Sequence, residues 1–135
     1  MKADSKKIYY FIGIGGVGMS ALARLCLKDG YSVYGYDKIS SEITDQLIKK
    51  GINIIFDNSV SALNELLLST EVQIIYSAAI PNSHPQLEFY KKQGNNVSKR
   101  AEFLSKICNN KKTLAVAGTH GKTTTSSILT HIFYK

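Results

Sequence analysis

Within Phe11-Ile12-Gly13-Ile14-Gly15-Gly16-Val17-Gly18-Met19-Ser20, three glycines, Gly13, Gly15 and Gly18, stand in the order G-x-G-x-x-G. The chemistry this spacing serves is main-chain binding of phosphate. The first glycine allows a tight strand-to-helix turn, the second lets backbone approach a pyrophosphate, and the third lets helix pack closely on strand. A helix starting there offers unpaired N–H groups and the positive end of its dipole. On the residues alone, the alternative is a glycine-rich turn that binds nothing. A second loop, Gly118-Thr119-His120-Gly121-Lys122-Thr123-Thr124, carries Gly-Lys-Thr after the β-rich Thr113 to Ala117. Its N–H groups would wrap phosphate oxygens, Lys122 would reach the β/γ-phosphates, and the Thr123 hydroxyl can ligate Mg²⁺. The usual P-loop spacing needs glycine at 116, where this chain has Val116, so the loop is a shortened variant. His120 lies inside it as a spacer rather than a catalyst.

Other polar candidates are fewer. Asp37 stands nineteen residues past Gly18, at the end of a β-rich run, where an acidic side chain accepts hydrogen bonds from a ribose hydroxyl. The alternative is a loop aspartate capping the helix that follows. Ser77-Ala78-Ala79-Ile80-Pro81 combines a hydroxyl with small residues that leave room for a ligand, or simply make a tight turn. His84 and His131 read as surface or helix residues. Cys26 and Cys108 are far apart with no C-x-x-C partner, which argues against a metal or disulfide role.

The elements that must position these residues alternate. Ile8 to Ile12 is an apolar strand, and Val17 to Lys28 is a helix with a narrow wet stripe of Arg24 and Lys28. Strands follow at Tyr31 to Tyr36, Ile52 to Phe56, Val72 to Tyr76 and Asn96 to Ser98. Helices are expected over Glu42 to Lys50, Ser61 to Leu68, from Pro85 to the glycine at 94, and from Arg100 to Cys108. Pro85 suits a first helical position because its missing N–H has no partner there anyway. Lys28-Asp29-Gly30, Lys49-Lys50-Gly51 and Lys92-Gln93-Gly94 each set a lysine just before a helix-ending glycine. Strand–helix alternation of this kind predicts an α/β, Rossmann-like parallel sheet with helices on both faces and right-handed crossovers. Ligands bind such sheets beyond the carboxyl ends of the strands, where the order reverses. If strands one and four flank that point, the loops Gly13–Gly18 and Ser77–Pro81 meet there.

The bulk composition fits this. The chain has 135 residues, 44% hydrophobic and 20% charged, with a net charge of +7. That is globular composition with room for one ordinary domain. The lysines are scattered, with no arginine-rich block and no nucleic-acid motif, so no nucleic-acid partner is expected and the charge is mainly a solvated surface. No apolar run approaches membrane-spanning length and the N-terminal segment is too short for a signal peptide. No membrane partner and a cytoplasmic location are expected. The polar stretch Asn109-Asn110-Lys111-Lys112 reads as a linker.

Taken together these stretches resemble the Mur ligases of peptidoglycan synthesis. The matching residues are Phe11 to Ala23, Gly35-Tyr36-Asp37, Ser77 to Pro81, Lys99-Arg100-Ala101-Glu102 and Ala115 to Thr125, in the family's order along the whole chain. The Gly-Thr-His-Gly-Lys-Thr-Thr variant is highly specific and accounts for the unusual loop spacing. The resemblance implies a UDP-sugar-binding domain over residues 1–109, rather than a NAD site. Residues 110–135 would be the first strand, P-loop and helix of a truncated ATP-binding domain. It implies an ATP-dependent ligase that phosphorylates the lactyl carboxylate of UDP-N-acetylmuramate. The amine of L-alanine then attacks the acyl phosphate, giving an amide, ADP and phosphate. Lys122 and Thr123 would be catalytic, with Mg²⁺ on Thr123. Gly118, Thr119, His120, Gly121 and Thr124 would complete the ATP loop. Gly13, Gly15, Gly16, Val17, Gly18, Met19 and Ser20 would line the diphosphate, with Asp37, Ser77 and Arg100 as further uridine or diphosphate contacts. The acidic Mg²⁺ partners and the alanine site would lie outside the chain, which by itself is expected to bind ligand without turnover. A relative that recycles a murein tripeptide onto the same UDP-sugar shares these motifs. From another class, a NAD-binding regulatory module fits Gly13–Gly18 plus Asp37, but the second loop and the additional Gly16 count against it.

Overall fold

The structure, a computed structural model, describes residues 7–110. The second glycine loop, with Gly118, Thr119, His120, Gly121, Lys122, Thr123 and Thr124, lies outside the described residues, as does His131. By its internal contacts the chain divides into two units, Met1–Ser105 and Lys106–Lys135.

Among the described residues, five strands and four helices follow in order: β1 (Ile8–Ile12), α1 (Val17–Lys28), β2 (Ser32–Tyr36), α2 (Glu42–Lys49), β3 (Asn53–Ile55), β4 (Gln73–Tyr76), α3 (Pro85–Gln93), β5 (Val97–Lys99) and α4 (Arg100–Asn109). The strands make one sheet in the order β3-β2-β1-β4-β5, with every pair parallel. This is the expected α/β, Rossmann-like fold. Strands begin or end within a residue of where the β-rich runs predict them.

Strand β1 is the centre, and its pleat divides the core. Tyr10 and Ile12 point to one face, packed with Tyr36, Leu67, Ile74, Leu87 and Tyr90. Tyr9 and Phe11 point to the other, where Phe103 of α4 meets both rings, with centroids 5.5 and 6.1 Å away. Period-two alternation with both faces apolar is what a parallel sheet covered on both sides requires. Tyr10 and Tyr90 are fully buried phenols, and each donates to an acceptor: Tyr10 to Gln86 Oε1 at 2.7 Å and Tyr90 to the Leu67 carbonyl at 3.0 Å. Gln86 is itself buried, and its amide donates to the carbonyls of Asp57 and Ser59 at 3.0 and 3.1 Å. One side chain thus ties β1 and α3 to the chain leaving β3. The lysine–glycine helix ends also form as predicted: Gly30, Gly51 and Gly94 have φ of 91°, 99° and 88°.

One element differs. No helix forms over Ser61 to Leu68. A single 3-10 turn, Val60–Ala62, ends where Leu63 turns extended, at φ −77° and ψ 131°, and a second turn closes around Asn64. The Asn64 side-chain oxygen takes the Leu67 N–H at 3.0 Å. A short side-chain amide competing for backbone donors in this way breaks a helix that the leucine spacing alone suggests. Leu63 and Leu67 still reach the core, so the apolar pattern is satisfied without the helix.

Candidate ligand-binding edge

Strands β1 and β4 are neighbours, yet the chain leaves β1 toward β2 and leaves β4 toward β5. The crevice between their following loops is the topological switch point, where open α/β sheets take ligands. The expected meeting of Gly13–Gly18 with Ser77–Pro81 therefore occurs. Ser77 donates its N–H to the Ile12 carbonyl at 3.3 Å, and its hydroxyl lies 3.0 Å from where a β-carbon on Gly13 would stand.

Each glycine of the first loop has a distinct local setting. Gly13 has φ +88°, and its N–H and that of Ile14 both donate to the Tyr36 carbonyl, at 2.8 and 3.0 Å. That shared acceptor folds the chain sharply at the end of β1, in a conformation only glycine adopts cheaply. Gly15 donates its N–H to Asp37 Oδ2 at 2.7 Å, and a β-carbon there would meet that oxygen and Thr44. Gly18 faces the Arg100 side chain, whose guanidinium fills the space a β-carbon would need. Gly16 differs from the others. Its φ of −65° and ψ of 149° suit any residue, and a β-carbon there would find nothing nearer than 3.6 Å. Neither strain nor space demands glycine at 16.

Gly16 is also the N-cap of α1. It supplies no side-chain cap, and the first turn of α1 has no acidic residue. The other helices starting along this edge carry acid in their first turns. Helix α2 begins with a reciprocal capping box between Ser41 and Thr44 and carries Glu42 and Asp45 in its first turn. Helix α3 opens with Pro85, which has no N–H, and holds Glu88; α4 holds Glu102. The first N–H groups of a helix have no partner of their own, and among the described helices α1 is the one whose first turn carries no acidic residue to offset the positive dipole end. Arg100 stands beside them, exposed and with no carboxylate partner among the described residues.

Of the remaining expected contacts, Val17 is 79% exposed at the mouth of the loop, whereas Met19 and Ser20 are buried. The Ser20 N–H bonds the Gly16 carbonyl at 2.8 Å, and its hydroxyl donates to Val17 O and accepts from Arg24. Their side chains belong to the core, which leaves the Val17, Gly18 and Met19 amides as the open donors. Asp37 is not the cap of α2, a place Ser41 holds. Its second oxygen receives the Ile39 N–H at 3.4 Å.

His84 corrects the surface reading. It is 6% exposed at the N-cap of α3, its ring edge-on to Tyr36 at 4.8 Å, and neither ring nitrogen has a hydrogen-bond partner among the described residues. Burial pulls its pKa below the ordinary histidine value. Its position just ahead of an N1 proline was the available signal, since that residue ties the switch-point loop to the helix. Among the described residues no cluster of His, Cys, Asp and Glu could hold a metal ion. No described helix is long and apolar enough to cross a membrane.

The profile of the Mur ligase family, catalytic domain, matches residues 8–112. The chain belongs to the Mur ligase family. Among curated relatives of this Mur ligase chain, the UDP-N-acetylmuramate–L-alanine ligase of Porphyromonas gingivalis is 47% identical over 127 residues, covering 93% of the chain and 28% of the relative. That of Christiangramia forsetii is 45% identical over 128 residues, with the same shares. Among solved structures, the UDP-N-acetylmuramate–alanine ligase of Thermotoga maritima superposes with a TM-score of 0.82 at 30% identity, covering 95% of this chain and 29% of that one. The UDP-N-acetylmuramate:L-alanyl-γ-D-glutamyl-meso-diaminopimelate ligase of Neisseria meningitidis gives 0.83 at 28% identity, covering 95% and 39%. The chain thus spans about 28% of the length of the curated Mur ligases it matches. The family is one of ATP-dependent ligases that form amide bonds.

Proposed function

We propose that residues 1–109 form the UDP-N-acetylmuramate-binding domain of a cytoplasmic ligase that adds L-alanine to the lactyl carboxylate of that sugar in peptidoglycan synthesis. The observation that carries the reading is the start of α1 on the ligand edge, uncapped by a side chain and without first-turn acid, with Arg100, which has no carboxylate partner among the described residues, against Gly18. A diphosphate supplies the negative charge and acceptor oxygens that this arrangement lacks. The Val17, Gly18 and Met19 amides would take one phosphate, Arg100 the other, and the half-buried Ser77 hydroxyl the adjoining sugar or ribose. Relatives at 45–47% identity that are named for the alanine reaction favour that amine over a peptide.

In the same proposal, residues 110–135 begin the ATP-binding domain. Lys122 and Thr123 would act there as catalytic residues, Thr123 on Mg²⁺, with Gly118, Thr119, His120, Gly121 and Thr124 completing the cradle. These lie outside the described residues, and their assignment rests on sequence. Lys122 would stabilise charge on the transferring phosphoryl group. Residues 1–135 by themselves are proposed to bind ligand without turnover.

Calorimetric titration with UDP-N-acetylmuramate, with NAD as the parallel ligand, tests the reading. Saturable binding of the UDP-sugar and none of NAD is expected. NAD binding alone would move the chain to the nicotinamide class.

A further inference from the structure

The carboxylate of Asp37 sits beside the loop proposed to hold a diphosphate, where a negative charge opposes the ligand. Geometry gives it another task. Its Oδ2 receives the Gly15 N–H at 2.7 Å, its Oδ1 receives the Ile39 N–H at 3.4 Å, and its own N–H donates to the Ile55 carbonyl at 3.1 Å. Asp37 is therefore fixed to β3 through its main chain, and it fixes the glycine loop through its side chain. Gly15 lies between two segments that are already anchored: Gly13 and Ile14 by the Tyr36 carbonyl, and Ser20 by Gly16. Without the Asp37 bond, the peptide between Ile14 and Gly16 loses the one hydrogen bond that orients its N–H toward β2.

We propose that Asp37 is a positioning residue that latches Gly15 and so presets the α1 amides for the diphosphate, rather than a group that accepts hydrogen bonds from a ribose. This rests on the UDP-sugar reading above and deepens it. The latch also bears on specificity. A nicotinamide dinucleotide site uses the equivalent carboxylate as the acceptor for ribose hydroxyls, whereas here one oxygen is held by the loop itself.

The test exploits opposite signs. Removing a negative charge next to an anion site strengthens anion binding if Asp37 acts only through its charge. Removing a latch weakens it. Inorganic pyrophosphate, which has no ribose, and uridine, which has no phosphate, serve as separate probes for the 135-residue chain and its D37A and D37N variants. Asp37→Ala is expected to bind pyrophosphate about fivefold more weakly than wild type, one net hydrogen bond's worth, despite the lost charge. Asp37→Asn keeps an acceptor oxygen for Gly15 and is expected to match or exceed wild type. Uridine affinity is expected to be the same in all three. Circular dichroism and thermal melts confirm that each variant folds. If Asp37→Ala fails to fold, the amide proton of Gly15 gives the answer in Asp37→Asn, where it is expected to remain protected from exchange. Pyrophosphate binding by D37A at or above the wild-type level overturns the proposal, as does loss confined to uridine, or fast Gly15 exchange in wild type. Failure of wild type to bind either pyrophosphate or the UDP-sugar would instead overturn the diphosphate reading, and this inference with it.

Discussion

The guanidinium of Arg100 lies against the bare Cα of Gly18, filling the volume that a side chain there would need. The two residues are 82 positions apart, and the sheet order, which sets β5 and α4 on the β4 side of β1, brings them together. A cation at the first turn of a helix is the wrong sign for the dipole. The diphosphate proposed above would supply the negative charge that this pairing lacks.

Arg100→Ala is accordingly expected to weaken UDP-sugar binding about tenfold, the loss of a charge-assisted hydrogen bond. Arg100→Lys keeps the charge without the planar fork and is expected to fall between the two. The melting temperature should not change, because Arg100 is exposed. Calorimetry beside a thermal melt separates these outcomes, and a melting loss as large as the binding loss would make the role structural.

Gly18→Ala makes the reciprocal test. Only the end of a flexible side chain stands in the way, so the variant folds, and alanine is the better helix former by about 0.5–1 kcal/mol. The expected result is equal or higher stability with weaker ligand binding, as Arg100 is pushed aside.

Gly35 is a different case. A β-carbon there would press on Ile14, including its Cβ at 2.9 Å, and Ile14 is fully buried. Gly35→Ala is expected to cost about 2 kcal/mol of stability by overpacking. Adding Ile14→Ala should cost less than the sum of the two single changes, a coupling that denaturant titration of the four chains would read.

The Tyr10–Gln86 pair predicts a further coupling. Gln86→Leu leaves the Tyr10 hydroxyl and the Asp57 and Ser59 carbonyls without this partner, at a cost of about 3 kcal/mol. In Tyr10→Phe background the same change is expected to cost less. Equal costs in both backgrounds would show that the hydrogen bond contributes nothing.

His84 predicts how stability depends on pH. Its folded pKa is depressed by burial, so the unfolded chain binds the proton more readily. This contribution is therefore fully present above the unfolded value, about 6.5. It is lost as the pH falls below that value toward the depressed folded pKa. Melting temperatures between pH 8 and pH 5 should decline, and the decline should be shallower in His84→Leu, which also removes two buried nitrogens that have no partner among the described residues.

Much of this was readable in the chain. The glycine loop, the lysine–glycine helix ends and the β-rich runs are local signals, and their elements lie where the spacing predicts. Asp37 was visible by its distance from Gly18, but its bond to Gly15 was not, because side-chain direction depends on the β2–β3 pairing. Arg100 was found by motif alone; spacing cannot place a residue across β4. The leucines of 61–68 misled because their periodicity fits a helix, and the deciding bond from Asn64 is a single local competition. The burial of His84 depends on Tyr36, 48 residues away in sequence.

The openness of position 16 has an evolutionary consequence. Aspartate or serine at an N-cap is worth a few tenths of a kcal/mol over glycine, and here nothing steric forbids either. A population screened for heat resistance alone is therefore expected to fill this position early, and an aspartate there would set a carboxylate where the phosphate is proposed to sit. Under the diphosphate reading, a glycine kept at 16 would record selection for the ligand against selection for the fold, and its replacement in a homologue would mark a lineage that has given up the ligand.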